Sequence, residues 1–366
     1  AMPAGGSSSG SDSGSEDSVD EDPPFPTLPD DVDFRAVDFV GSQGLRLKAY
    51  RFAHATRPCR GMVFMCHGYG GHTQFDWLLP GAPGEPHVSW ATSVLEGLVD
   101  AGYVVHALDQ QSHGRSEGQR GLRAYFDDFD DLPGENLEYL RSAIPGEPPA
   151  ARERLFVFGI SMGGATAVRM SQLEPDLFRG MVLYAPMLRL EEVKKEKIFA
   201  CITNGHLAGV AGCLSKAIPF TPVAKAKKND MFPLSQKEAD EDALVYHGDV
   251  RSRVGAEFMR IAEGFMGGGL ESVSVPFVTF HAQHDTFVDP KGSQVLLDVA
   301  KSTDKTYMKV GRGLDVDVDI WHGLSFEPGH EVILKAALAW MVERSGGVKR
   351  MGGDAPRSTA SSFLRW

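Results

Sequence analysis

Residues 156–168 read FVFGISMGGATAV, one serine set among three glycines. Gly159-Ile160-Ser161-Met162-Gly163 fits G-x-S-x-G. The apolar run before it (Leu155 to Phe158) reads as a buried strand, and the run after it (Gly164 to Gln172) reads as a helix. A turn that sharp, between a strand and a helix, holds a serine strained with its hydroxyl exposed, as a nucleophile needs. A Cβ at residue 159 or 163 would collide with the neighbouring strand or helix, which accounts for the glycines. The plainer alternative is a glycine-rich turn with a capping serine. The elements on either side favour the nucleophile.

A serine hydroxyl is a weak nucleophile without a base, and the base needs an acid to orient it. In this context the chain order is Ser, then Asp or Glu, then His. After the strand Phe277 to Phe280 comes HAQHDTFVDP. Asp285 falls just past the strand's carboxyl end, where functional loops gather in open α/β sheets. Asp289, its rival, precedes Pro290 and suits a helix cap. Trp321-His322-Gly323 lies between the last strand and the last helix, so His322 is the expected base. His330, near that helix's start, is expected to face solvent. His284 comes too early in the order. Asp315, Asp317 and Asp319 alternate with Leu314, Val316 and Val318 like an edge ribbon and are expected to form a solvated loop.

An oxyanion forming at Ser161 needs N–H donors. The helix start behind Ser161 offers the backbone N–H of Met162. The loop after strand Gly61 to Cys66 reads His67-Gly68-Tyr69-Gly70-Gly71-His72 and brings the Tyr69 backbone N–H within reach of a substrate oxygen. A tight turn with a core histidine explains His67-Gly68 equally well. The segment 109–118, DQQSHGRSEG, is expected to brace the loops around the site.

These residues need a scaffold, and its elements alternate. Asp38 to Val40 and Leu45 to Tyr50 read as a hairpin. Helix Trp90 to Asp100, with Ser89 as N-cap, precedes strand Tyr103 to Leu108. Residues 126–142 read as helical with a break at Pro133-Gly134. Strand Met181 to Tyr184, helix Ser293 to Ala300, strand Tyr307 to Val310 and helix Glu331 to Glu343 complete the set. Continuous apolar strands alternating with helices mean an α/β fold around a mostly parallel eight-stranded sheet covered on both faces. The expected division is a disordered acidic arm (1–32), core (33–186), helical cap or lid (187–270), core (271–345) and a flexible basic tail (346–366).

The bulk numbers agree with one globular unit. The chain has 366 residues, 42% hydrophobic and 23% charged, with formal charge −12. Residues 1–34 hold nine acids and no base, so most of that charge belongs to the arm. A folded part so near neutrality lacks the basic footprint of nucleic-acid binding. Cys59, Cys66, Cys201 and Cys213 show no C-x-x-C spacing, so neither a disulfide framework nor a zinc site is expected. The N-terminus has no apolar leader segment, and no run reaches 18 apolar residues. A soluble protein of a reducing, cytoplasmic compartment is expected, needing no metal or organic cofactor.

Together these motifs resemble the monoacylglycerol lipase and lysophospholipase-like branch of the α/β-hydrolase superfamily. The resemblance runs from about Asp33 to Arg344, over HGYGGH (67–72), SHGRSEG (112–118), GISMGG (159–164), His284-Asp285, VDP (288–290), KSTDKT (301–306) and Trp321-His322. It implies a triad of Ser161, Asp285 and His322, with an oxyanion hole at Tyr69 and Met162. It also implies a helical cap and hydrolysis of acyl esters. Gln74 to His87 is longer than that pattern, and Gly311 to Ile320 looks inserted. The cap's apolar residues, with Lys194, Lys195, Lys197, Lys225, Lys227 and Lys228, could also touch a membrane peripherally; an ordinary solvated helix face is the plainer reading. A carboxylesterase for short or aromatic esters and a non-catalytic binding module are the alternatives.

Overall fold

The computed structural model describes residues 25–190, 217–225 and 227–346, together with the backbone of 197–199 and 202–203. Residues 1–24 of the expected arm, the tail from 347, Cys201, Cys213, Lys194 and Lys195 lie outside the described residues. The side chain of Lys197 does as well. Phe25, within the expected arm, packs on the first hairpin. Its ring stacks on Phe34 at 4.8 Å and lies 5.2 Å from Tyr50.

Eight strands form one sheet. They are β1 (Val32–Val40), β2 (Arg46–His54), β3 (Gly61–Cys66), β4 (Tyr103–Leu108), β5 (Leu155–Ile160), β6 (Gly180–Tyr184), β7 (Phe277–Ala282) and β8 (Lys305–Val310). Their spatial order is β1-β2-β4-β3-β5-β6-β7-β8. β1 and β2 run antiparallel to each other, and β2 runs antiparallel to β4. The remaining neighbours are parallel. The first hairpin is longer than its apolar cores suggested, because polar residues such as Arg51 and Asp33 pair across it by ion contact at 2.8 Å.

The two faces follow from the two-residue period of a strand. Met62, Phe64, Cys66, Leu155 and Val157 point to one side. There they meet α2 (Asp131–Ala143) and α3 (Met162–Leu173) through Leu137, Leu140, Val168 and Met170. Val63, Met65, Phe156 and Phe158 point to the other, where α1 (Val94–Asp100) and α7 (His330–Ser345) supply Leu95, Leu98, Ile333 and Trp340. Both faces of the parallel strands are thereby dry, so β3 and β5 are apolar throughout and β4 is apolar but for His106, whose ring nitrogens meet the Tyr139 hydroxyl at 2.8 Å and Glu147 at 3.0 Å.

Two helices differ from expectation at their starts. α1 begins at Val94, not Trp90, and its N-cap is Ser93. Ser93 Oγ accepts the Glu96 N–H at 3.1 Å, and the Glu96 carboxylate reaches back to the Thr92 N–H at 2.5 Å. This is the reciprocal logic of a capping box, shifted by one residue. α2 passes through Pro133-Gly134 without a break. Pro133 falls in the first turn, where an N–H has no intrahelical partner to lose.

Between β6 and β7 the described part of the insert holds α4 (Pro233–Glu241), α5 (Ser252–Met266) and a ribbon of Pro222–Ala224 with Val250–Arg251. α5 packs Val254, Ile261 and Phe265 inward. The helix α6 (Lys291–Val299) follows β7. Buried polar pairs fasten the insert to the loop after β3. His72 Nε2 lies 3.1 Å from Asp242 Oδ2, His87 Nε2 lies 3.4 Å from Glu238 Oε2, and the Tyr246 N–H donates to Gly70 O at 2.8 Å.

Ser93→Ala should lower stability by about 1 kcal/mol in urea unfolding. Ser89→Ala should leave the midpoint in place. The reverse ranking would put the cap at Ser89.

Candidate active site

Ser161 joins β5 to α3 with φ 54° and ψ −118°, a left-handed backbone unusual for a residue with a Cβ. Its surroundings over-determine that strain. Ser161 N–H donates to Tyr184 O at 3.0 Å, and Met187 N–H donates to Ser161 O at 2.9 Å. On either side there is no space for a side chain. A Cβ at Gly159 would stand 2.2 Å from Gly163 O, and one at Gly163 would stand 2.0 Å from Cys66 O. The start of α3 therefore lies directly against the end of β3.

That contact brings the Met162 N–H and the loop His67–His72 to one place. Among the described residues neither the Tyr69 nor the Met162 backbone N–H finds a hydrogen-bond acceptor. The loop is held from behind. His67 Nε2 accepts the Gln110 N–H at 2.9 Å, and burial lowers the pKa of this imidazole. The Asp109 carboxylate accepts the N–H groups of Thr73 and Arg115 at 2.9 Å and the Tyr50 hydroxyl at 3.0 Å. The segment 109–118 thus braces the loop.

Asp285 lies in the turn after β7. Its Oδ1 accepts the N–H groups of Phe287 at 2.7 Å and Val288 at 3.1 Å. Its Oδ2 lies 2.6 Å from Nδ1 of His322, so the neutral ring carries its proton on Nδ1 and keeps Nε2 as a base. Burial alone would raise the Asp285 pKa, but His322 and His281 hold the carboxyl well below its ordinary range. Burial alone would lower the His322 pKa, but the Asp285 charge beside the ring outweighs it, with smaller help from Glu327 and Asp76, and raises it.

Ser161 and His322 line one cavity of about 490 Å³, within the size range of small-molecule sites. Met187, Leu190, Val223, Phe258 and Met259 give it apolar walls, largely from the insert. Asp76, Asn229, Gln236 and Glu327 add polar groups.

The rivals lie elsewhere. Asp289 stands just before Pro290, the N-cap of α6, where it accepts the Lys291 N–H at 3.0 Å and pairs with Arg189 at 2.5 Å. His330 does not face solvent as expected. It is buried, with Nε2 3.1 Å from Thr92 O, because the strained turn before α1 folds over it. His284 is partly exposed, 4.0 Å from Asp319. Asp315 and Asp317 accept N–H groups of Lys309 and Gly313 at 2.9 Å, within the exposed loop expected there.

Three residues escaped the sequence reading. His281 Nε2 approaches Asp285 Oδ2, the oxygen that also meets His322, to 3.3 Å. Glu327 accepts the Trp321 N–H at 2.6 Å. Asp76 accepts the Gly68 N–H at 2.6 Å. The apolar strand before His281 and the spacing from His322 to Glu327 were the available signals. Asp76 had none. Among the described residues no group of three or more His, Cys, Asp or Glu is arranged to hold a metal ion. No described helix is long and apolar enough to cross a membrane.

Comparison with known proteins gives a consistent picture. The Hydrolase_4 family, described as "Serine aminopeptidase, S33", matches residues 84–328. The chain is 28% identical over 301 residues to caffeoylshikimate esterase of Arabidopsis thaliana, covering 80% of each chain. It is 27% identical over 312 residues to monoacylglycerol lipase of Mycolicibacterium smegmatis, covering 83% of this chain and 95% of that one. The crystal structure of a soluble variant of Saccharomyces cerevisiae monoglyceride lipase superimposes with a TM-score of 0.64 at 17% identity, covering 89% and 99%. That last likeness is one of fold.

Replacing Asp285 by Asn should lower the His322 pKa in an NMR titration of the ring. A raised histidine pKa stabilises the fold fully below the unfolded value, about 6.5, and is lost as pH rises through the folded value. The destabilisation by Asp285→Asn should therefore be larger near about pH 5.5 than near about pH 9. An equal loss at both would separate His322 from Asp285.

Proposed function

The chain belongs to the Hydrolase_4 family and is a carboxylic ester hydrolase, and we propose that it cleaves lipid esters of monoacylglycerol or lysophospholipid type through an acyl-enzyme on Ser161. In this reading Ser161 attacks the ester carbonyl while Nε2 of His322 takes its proton. Asp285 holds the tautomer and stabilises the imidazolium. The N–H groups of Tyr69 and Met162 receive the oxyanion. His322 then protonates the leaving alcohol, and water resolves the acyl-enzyme through the same base.

The observation that carries the reading is the shared cavity. Ser161 and a carboxylate-backed His322 line it together with apolar residues of the insert such as Val223, Phe258 and Met259. An acyl chain suits those apolar residues, since apolar burial is worth about 0.8 kcal/mol per CH₂. Several relatives are named monoacylglycerol or monoglyceride lipase, which supports the same substrate class. The likeness to caffeoylshikimate esterase favours a second reading, hydrolysis of short or aromatic esters.

Ser161→Ala should reduce ester turnover by about 10⁶-fold with an unchanged circular dichroism spectrum. A substrate series of rising acyl length should show a long-chain optimum. Retained turnover would remove Ser161 from the chemistry, and a short-chain or aromatic optimum would favour the second reading.

The proposal includes peripheral contact with lipid surfaces. Ile218, Phe220, Met231 and Leu234 of the insert are exposed apolar residues, and Lys225 and Lys228 lie in the same part of the chain. Leu234→Asp should weaken sedimentation with anionic vesicles several-fold; unchanged sedimentation would count against the contact.

A further inference from the structure

Asp76 is a carboxylate in a place where catalysis by Ser161 and His322 does not require one. It is 5% exposed and lines the same cavity as both of them. One oxygen, Oδ2, accepts the Gly68 N–H at 2.6 Å. The other, Oδ1, receives no hydrogen bond from any described residue, yet it is not among the sealed, unpaired polar atoms of the interior. It therefore faces open space, and that space is the cavity.

Two glycines define how it sits. A Cβ on Gly68 would stand 3.4 Å from both Asp76 Oδ2 and Ser161 Cβ, so the carboxylate and the serine are separated by no more than twice that. A Cβ on Gly71 would stand 3.1 Å from the Asp76 carboxylate. The absence of any side chain at 71 leaves the carboxylate uncovered. A buried charged acceptor with an unused oxygen carries a cost that a donor on a ligand would offset.

We propose that Asp76 Oδ1 accepts a hydrogen bond from a hydroxyl on the alcohol half of the ester, so that the site favours leaving groups with a second hydroxyl. The inference rests on the ester-hydrolase reading above. The alcohol must leave past His322, which protonates it, and Asp76 is close enough for its charge to act on that ring. The acyl half has no donor to offer and belongs against the apolar walls of the insert.

The test compares two esters of one long-chain acid, the monoglyceride and the ethyl ester, on wild type and Asp76→Asn. Asparagine keeps an acceptor for Gly68 and replaces the free oxygen with a donor. In kcat/KM, the loss on the monoglyceride should exceed that on the ethyl ester by about 10- to 100-fold, the usual range for a hydrogen bond to a charged group. Equal losses on both esters would overturn the proposal, reducing Asp76 to a brace for the loop. Should the variant fail to fold, wild type alone decides, by comparing the monoglyceride with the propyl ester of the same acid. A preference of about tenfold or more supports the proposal, and none overturns it. If wild type hydrolyses no ester and a fluorophosphonate leaves Ser161 unlabelled, the ester-hydrolase reading itself falls, and this inference with it.

Discussion

The site depends on one close crossing, where the first turn of α3 passes the end of β3 with no room for a Cβ at Gly163. Widening that gap by one methyl group would force the backbone of Cys66 and His67 away from α3. The strain at Ser161 persists because the hydrogen bonds to Tyr184 and Met187 and this contact leave the turn no other course. The same contact sets the Met162 N–H beside the loop that carries the Tyr69 N–H. Tight packing of glycines thus does more here than admit a turn. It fixes the distance between two strands' worth of loops.

Around this crossing the charges are arranged by burial. Asp285 is kept ionised in a dry place by two backbone N–H groups and by His322, with His281 close behind. Low dielectric strengthens each of these contacts and would make any one of them costly to leave unmatched. Glu327 illustrates the other outcome. Burial raises its pKa, although the N–H groups of Trp321 and Gly323 oppose the shift. A basic imidazole thus stands between one carboxylate that is strongly ionised and others held less firmly in that form.

Much of this was legible in the chain because it rests on local rules. The G-x-S-x-G turn, the apolar strands and the order of Ser161, Asp285 and His322 are signals carried by neighbours in sequence. Helix starts were less legible. Ser89 and Ser93 both look like caps, and only Glu96 three residues after Ser93 distinguishes them. Pro133-Gly134 looks like a break unless the helix is known to begin at Asp131. His330 looked solvent-facing because nothing local reveals that the turn at Thr92 covers it. Asp76 was invisible for a deeper reason. Its role comes from Gly68, Gly71 and Ser161 meeting in space, and no spacing within a single segment encodes that meeting. Large parts of 191–216, where the apolar residues of the expected cap begin, lie outside the described structure.

The pairs His72–Asp242 and His87–Glu238 join the insert to the loop of Tyr69 and to the segment that follows it, with their polar atoms out of water. Pulling α4 away would strand two carboxylates and two imidazoles in a half-dry seam, and losing one partner of a buried pair costs about 3–5 kcal/mol. The Tyr246–Gly70 hydrogen bond would go with them. Any swing of that helix therefore drags the backbone on which a substrate oxygen would rest, so the roof and the floor of the chamber behave mechanically as one piece.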